Sequence, residues 1–143
     1  MANTSGLLLL SMPQNNFTGP IPTNLGNLHD LEFLRLNGNQ FRSSKLNDLN
    51  IIGSLTNCSV LPGSIANMSS KLETLWLGSN KISRSIPQEI GNLNNLYVLA
   101  IDHNMISGSI PESIEKLSKL QKLQIVINNI SGKFHHPLAT LPG

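Results

Sequence analysis

Apolar residues recur along this chain in a fixed order set by asparagines. Aligned on an Asn followed two residues later by an apolar residue, five segments superimpose: Asn15/Phe17, Asn39/Phe41, Asn80/Ile82, Asn104/Ile106 and Asn128/Ile130. Eight, five and three positions before each Asn stand further apolar residues. The triplets are Leu7, Leu10, Met12; Leu31, Leu34, Leu36; Leu72, Leu75, Leu77; Leu96, Leu99, Ile101; and Leu120, Leu123, Ile125. Units therefore start near residues 7, 31, 72, 96 and 120, at spacings of 24, 41, 24 and 24. Self-similarity at such a period marks a stacked-repeat architecture. The alternation at the centre of each unit predicts a short strand with one face inward. Stacked unit on unit, these strands form a parallel sheet over one continuous apolar core. An inward asparagine cannot sit there unpaired. Asn15, Asn39, Asn80, Asn104 and Asn128 are therefore expected to bond the backbone where each chain leaves its strand.

The second half of the unit repeats as well. Gly19-Pro20-Ile21-Pro22 returns as Gly108-Ser109-Ile110-Pro111 and, with its glycine lost, as Arg84-Ser85-Ile86-Pro87. Apolar pairs follow at Leu25/Leu28, Ile90/Leu93 and Ile114/Leu117. Proline fixes φ and donates no hydrogen bond, so an extended return is predicted. Pro13, Pro22, Pro87 and Pro111 weigh against a run of amphipathic helices. The full pattern, L-x-x-L-x-L-x-x-N-x-L-x-G-x-I-P, resembles the plant-specific leucine-rich repeat. That resemblance implies an α/β solenoid: right-handed, with short parallel β-strands on the concave face and an irregular or 3-10 convex side. It covers nearly all of residues 1–143, read here as a single domain.

The interval of 41 residues from Leu31 is seven short of two regular units. After Phe41 no Gly-x-Ile-Pro appears, and Leu49, Ile52 and Leu55 are spaced for one helical face. The expectation is one long unit over 31–71 that leaves five strands stacking in sequence. Here Ser54-Leu55-Thr56-Asn57-Cys58-Ser59, Leu61-Pro62-Gly63-Ser64-Ile65-Ala66-Asn67 and Lys71-Leu72-Glu73-Thr74-Leu75-Trp76-Leu77 resemble ectodomains of plant immune receptor kinases. The subfamily is that of the elongation-factor-Tu receptor and the rice blight-resistance receptor. In such receptors the ectodomain carries a further strand-bearing stretch where Ser59 and Val60 stand here, together with paired-cysteine caps, and a membrane helix and a kinase domain complete the protein. Without these, the chain reads as an internal fragment or truncated relative, with leucine edges bare at both ends.

Composition narrows the function. There are 24 Leu and 18 Asn, but only 13% charged and 4% aromatic residues. Ten Lys/Arg against eight Asp/Glu, without a basic cluster, gives no electrostatic reason to expect nucleic acid. Leu7 to Leu10 is too short an apolar run for a signal peptide and lacks a basic flank. No stretch approaches the roughly 20 apolar residues of a membrane helix. Cys58 is the only cysteine, which excludes an intrachain disulfide, and it reads as a small buried hydrophobe.

In such a solenoid the variable residues between strand leucines face the concave side. The central column would be Ser11, Arg35, Trp76, Ala100 and Gln124, flanked by Phe33, Asn37, Tyr97, Asp102 and His103. The position of Trp76 predicts an exposed ring. Exposed Trp beside Arg is a hot-spot composition. The plainer reading is a ring that covers its neighbours, held by a cation–π contact with Arg35. Five Asn-x-Ser/Thr sequons occur, at Asn3, Asn16, Asn57, Asn67 and Asn129. Enzymatic readings fare worse. His135-His136 has no accompanying ligand set for a metal. Asp102-His103 has no nucleophile elbow. Phosphate-binding glycine loops have no match. No catalytic residue, metal or cofactor is expected.

The resemblance implies a peptide- or protein-binding module used in defence recognition, with a co-receptor kinase as second partner. It also implies a location outside the plasma membrane. Two alternatives stand beside it. One is an inhibitor of a cell-wall-degrading enzyme, similar to polygalacturonase-inhibiting proteins; the other is a degenerate product without independent function.

Overall fold

In the computed structural model, residues 6–42, Ile52 and 71–132 are described. Five three-residue strands lie side by side: β1 (Leu9–Ser11), β3 (Phe33–Arg35), β5 (Thr74–Trp76), β7 (Val98–Ala100) and β9 (Lys122–Gln124). Their order in the sheet follows the chain, and every pairing is parallel. The register sets Leu10, Leu34, Leu75, Leu99 and Leu123 in one row. β3 and β5 pair directly although 41 residues separate their units. Loop-closure entropy rises only slowly with length, so the long unit leaves the stack intact. Ile52 is helical and fully buried in the core, while Leu49, Leu55 and Cys58 lie outside the described residues.

Each strand turns through its asparagine into a second layer of two- to four-residue strands: β2 (Thr18–Gly19), β4 (Gln40–Phe41), β6 (Ser83–Arg84), β8 (Met105–Gly108) and β10 (Asn129–Ile130). These form two smaller parallel sheets, β2-β4 and β6-β8-β10. Extended prolines Pro22, Pro87 and Pro111 then lead into the 3-10 turns η1 (Thr23–Asn27), η2 (Gln88–Asn92) and η3 (Glu112–Lys116). The core lies between the five-stranded sheet and these turns. Leu34, Leu75, Leu77, Ile90, Leu93 and Leu99 are among its fully buried members. Burial fades towards the first and last described coils, which have a described neighbour on one side. Leu10 and Met12 at one end, and Leu123 and Ile125 at the other, are only partly buried.

The asparagines hold the coils together. Asn80 Nδ2 donates to the carbonyls of Leu77 (3.0 Å) and Gly78 (3.2 Å) in its own coil and of Leu36 (3.1 Å) in the preceding one. Its Oδ1 accepts the Phe41 N–H at 3.0 Å. Asn104 repeats this with Ile101, Asp102, Leu77 and Ile82, and Asn39 and Asn128 make equivalent bonds. Asn15, with no described coil before it, is exposed and donates to the Met12 and Pro13 carbonyls.

Candidate functional site

Outward strand positions build one continuous face. Ser11, Arg35, Trp76, Ala100 and Gln124 share a row, and Leu9, Phe33, Thr74, Val98 and Lys122 share the next. Tyr97 precedes β7, with its N–H on Glu73 and its carbonyl taken by Gln121 and Lys122. Asn37 and Asp102 stand beyond the other strand end, on either side of Gly78, in a row linked through the Gly38 and Ser79 N–H groups. A Cβ on Gly78 would meet the Asp102 carboxylate at 2.7 Å, so this glycine makes room for the acid. His103 follows, with Nδ1 2.8 Å from Asp102 Oδ2.

Trp76 departs from the expected exposed ring. It is half-buried, and its indole Nε1 is buried with no hydrogen-bond partner among the described residues. The cation over the ring is Lys122, with Nζ 5.3 Å from the ring centroid, rather than Arg35. Lys122 stands two strands from Trp76, with β7 between them. Ala100, small and paired with Trp76 in the intervening strand, is 1% exposed. Neighbouring Thr74 is buried too, and its Oγ1 is likewise unpartnered. Arg35 and Tyr97 are exposed, while Phe33, Asn37, Asp102 and Gln124 are half-buried. The periodicity did not single out Lys122, because its partner sits two coils away. The small residue at Ala100 between them was the available signal.

Among the other candidate residues, Asn16 is exposed and accepts a hydrogen bond from Gln40 Nε2, and Asn129 is exposed on β10. Asn3, Asn57, Asn67 and His135-His136 lie outside the described residues. Among the described residues there is no His/Cys/Asp/Glu group able to hold a metal, and no helix long and apolar enough to cross a membrane. The face presents the aromatic rings of Trp76 and Tyr97 and the cations Arg35 and Lys122.

Known proteins match this geometry. The family described as Leucine Rich Repeat matches residues 71–93 and 95–117. The chain is 37% identical over 89 residues to the LRR receptor-like serine/threonine-protein kinase EFR of Arabidopsis thaliana, covering 52% of this chain and 9% of that protein. It is 39% identical over 95 residues to the receptor kinase-like protein Xa21 of Oryza sativa subsp. japonica, covering 57% of this chain and 9% of the relative. Among solved structures, PEPR1–AtPEP1 superimposes with a TM-score of 0.76 at 32% identity, over 92% of this chain and 16% of that one. The Arabidopsis HAESA LRR ectodomain, in complex with an N-terminally extended IDA peptide hormone ligand, gives 0.66 at 29% identity, over 87% and 18%. The Arabidopsis BIR3–SERK2 complex gives 0.69 at 31% identity, over 86% and 57%. This chain is thus built of leucine-rich repeats and is related to the plant leucine-rich-repeat receptor kinases.

Proposed function

We propose that the chain is a ligand-binding module, one leucine-rich-repeat domain over 1–143, that takes a peptide or an extended protein segment across its concave face. The observation that carries this reading is the Trp76 indole. It is a large aromatic surface under Lys122, beside exposed Arg35 and Tyr97, with an N–H that lacks an acceptor. An extended backbone lies along a row of short strands, with its side chains against the aromatic and cationic groups of the face. Aromatic and arginine anchors are the residues that dominate binding energy at such surfaces. The peptide ligand of the HAESA ectodomain supports the ligand class.

Phe33, Asn37, Asp102, His103 and Gln124 would read the ligand's side chains around that centre. The module is a binder rather than an enzyme. The resemblance of its segments to immune receptor ectodomains supports a role in defence, on the outer side of the plasma membrane, with a co-receptor kinase as second partner. In that setting the exposed Asn16 and Asn129 sequons are positions where a glycan fits.

A random-peptide display library panned on the purified chain tests this. Trp76 is the single tryptophan, so its fluorescence reports directly on the face. Enriched peptides are expected to shift that emission and to bind Trp76→Ala and Arg35→Ala about ten-fold more weakly or worse. Peptides that bind both variants as well as the parent chain, without moving the emission, would overturn the reading.

A further inference from the structure

Charge on the concave face is sorted by row. The two central rows, Ser11 to Gln124 through Trp76 and Leu9 to Lys122 through Thr74, carry the cations Arg35 and Lys122 and no carboxylate. The acids stand outside them. Glu32 and Glu73 occupy the row before, where the Glu73 N–H bonds the Glu32 carbonyl and the Tyr97 N–H bonds that of Glu73. Asp102 stands beyond the other strand end, and Glu89, Glu112 and Glu115 belong to the turns η2 and η3 across the core. Asp48 lies outside the described residues.

The flanking acids are largely engaged, whereas the central cations are not. Asp102 is bonded by His103, and Lys71, paired with Asp30, is also attracted to Glu32. Arg35 and Lys122 are exposed, and among the described residues neither is in an ion pair. The two also approach the same ring. Arg35 is the in-register neighbour of Trp76, roughly 4.8 Å away across one strand spacing. Lys122 starts two strands off on the other side, yet its Nζ comes back to 5.3 Å from the ring centroid. A carboxylate suits both heads, since it takes the arginine fork in two parallel hydrogen bonds and an ammonium as a point charge. From this sorting we infer that the segment bound at Trp76 carries an acidic side chain, Asp or Glu, seated against Arg35 and Lys122. The inference rests on the peptide-binding reading and adds the sign of the ligand's charge to it. A basic residue in that place would face two cations, so the pair rejects the wrong partner as well as holding the right one.

Synthetic versions of the display-selected peptides test this, with both ends capped so that every carboxylate is a side chain. Peptides that move the Trp76 emission are expected to share an Asp or Glu at one position. Replacing that acid by its amide is expected to weaken binding to the parent chain about ten-fold. On the double variant Arg35→Gln/Lys122→Gln the same replacement is expected to cost less than about two-fold, because both changes remove one contact. An unchanged far-UV spectrum of the double variant shows that it is folded. Selection on Arg35→Glu/Lys122→Glu is expected to put Lys or Arg where the acid stood. Peptides that move the emission without a shared acid would overturn the inference and leave the peptide-binding reading standing. So would an amide replacement that costs the same factor on the parent chain and on the double variant. A library that yields no peptide dependent on Trp76 would overturn both.

Discussion

Asn104 shows what one residue does in every coil. Its amide reaches three carbonyls at 3.0–3.1 Å, and its oxygen accepts the Ile82 N–H, all at an 8% exposed position. Truncation would strand these backbone groups away from water, and each unmet buried group costs about 1–3 kcal/mol. Asn104→Ala is expected to lower unfolding stability by about 3 kcal/mol, and exposed Asn15→Ala by about 0.5 kcal/mol or less. Urea unfolding of the two variants checks the contrast, and equal losses would sink it. Residues just before the ladder asparagines share a further feature. Gln14, Gly38, Ser79, His103 and Ile127 all have φ between 50° and 69°. The left-handed turn thus belongs to the coil position rather than to the residue type, and even β-branched Ile127 is held in it.

At the level of elements, the 3-10 turns η2 and η3 pack against each other through a glycine. A Cβ on Gly91 would lie 2.4 Å from the Ser113 carbonyl oxygen and 2.8 Å from the Ser113 Cβ. Backbone cannot move aside as a flexible side chain can, and forced overpacking costs about 1–3 kcal/mol. Gly91→Ala is expected to lose about 2 kcal/mol, read as a fall in the thermal midpoint with the far-UV spectrum retained. An unchanged midpoint would mean that the two turns separate freely. Glu115 occupies the equivalent position one coil later. Gly26 holds that position in the first coil, so the glycine recurs in two units, and at 91 the Ser113 contact is what requires it. Arg84 makes the converse point. It has lost the glycine found at Gly19 and Gly108 but keeps their turn, with φ 72° against 84° and 79°.

For the molecule as a whole, one ion pair spans the long unit. Lys71 Nζ lies 2.7 Å from Asp30 Oδ1, joining the start of the third described coil to the second. The Lys71 hydrogen bond and charge, helped by the Gly6 N–H, hold the Asp30 carboxyl below the ordinary carboxylate range, and Asp30 raises Lys71 in return. A lowered folded-state value stabilises the protein at pH above the unfolded value, and that gain is lost as pH falls through the folded value. The parent chain is therefore expected to be slightly more stable than Asp30→Asn at about pH 7, with the margin closing as pH drops below about 4. Both groups are solvated, so the margin is small. Urea midpoints at the two pH values check it; a margin independent of pH would rule out the assigned linkage.

Periodicity alone determined which residues turn inward, which strands neighbour one another and where the asparagines stand. Neighbours in a solenoid are the same position one coil apart, so a repeated residue type records a repeated contact. The row Ser11, Arg35, Trp76, Ala100, Gln124 could be read off in that way, and the pairing reproduces it. The tertiary structure alone decided what is not periodic. Trp76 is half-buried with Lys122 over its ring instead of standing exposed, because what covers a ring depends on side chains up to two coils away. Gly91 is required where Ser113 approaches, and Arg84 keeps a glycine's turn because the coil paired to its strand holds the backbone there. Packing of that kind is set by the three-dimensional stack, and no spacing along the chain encodes it.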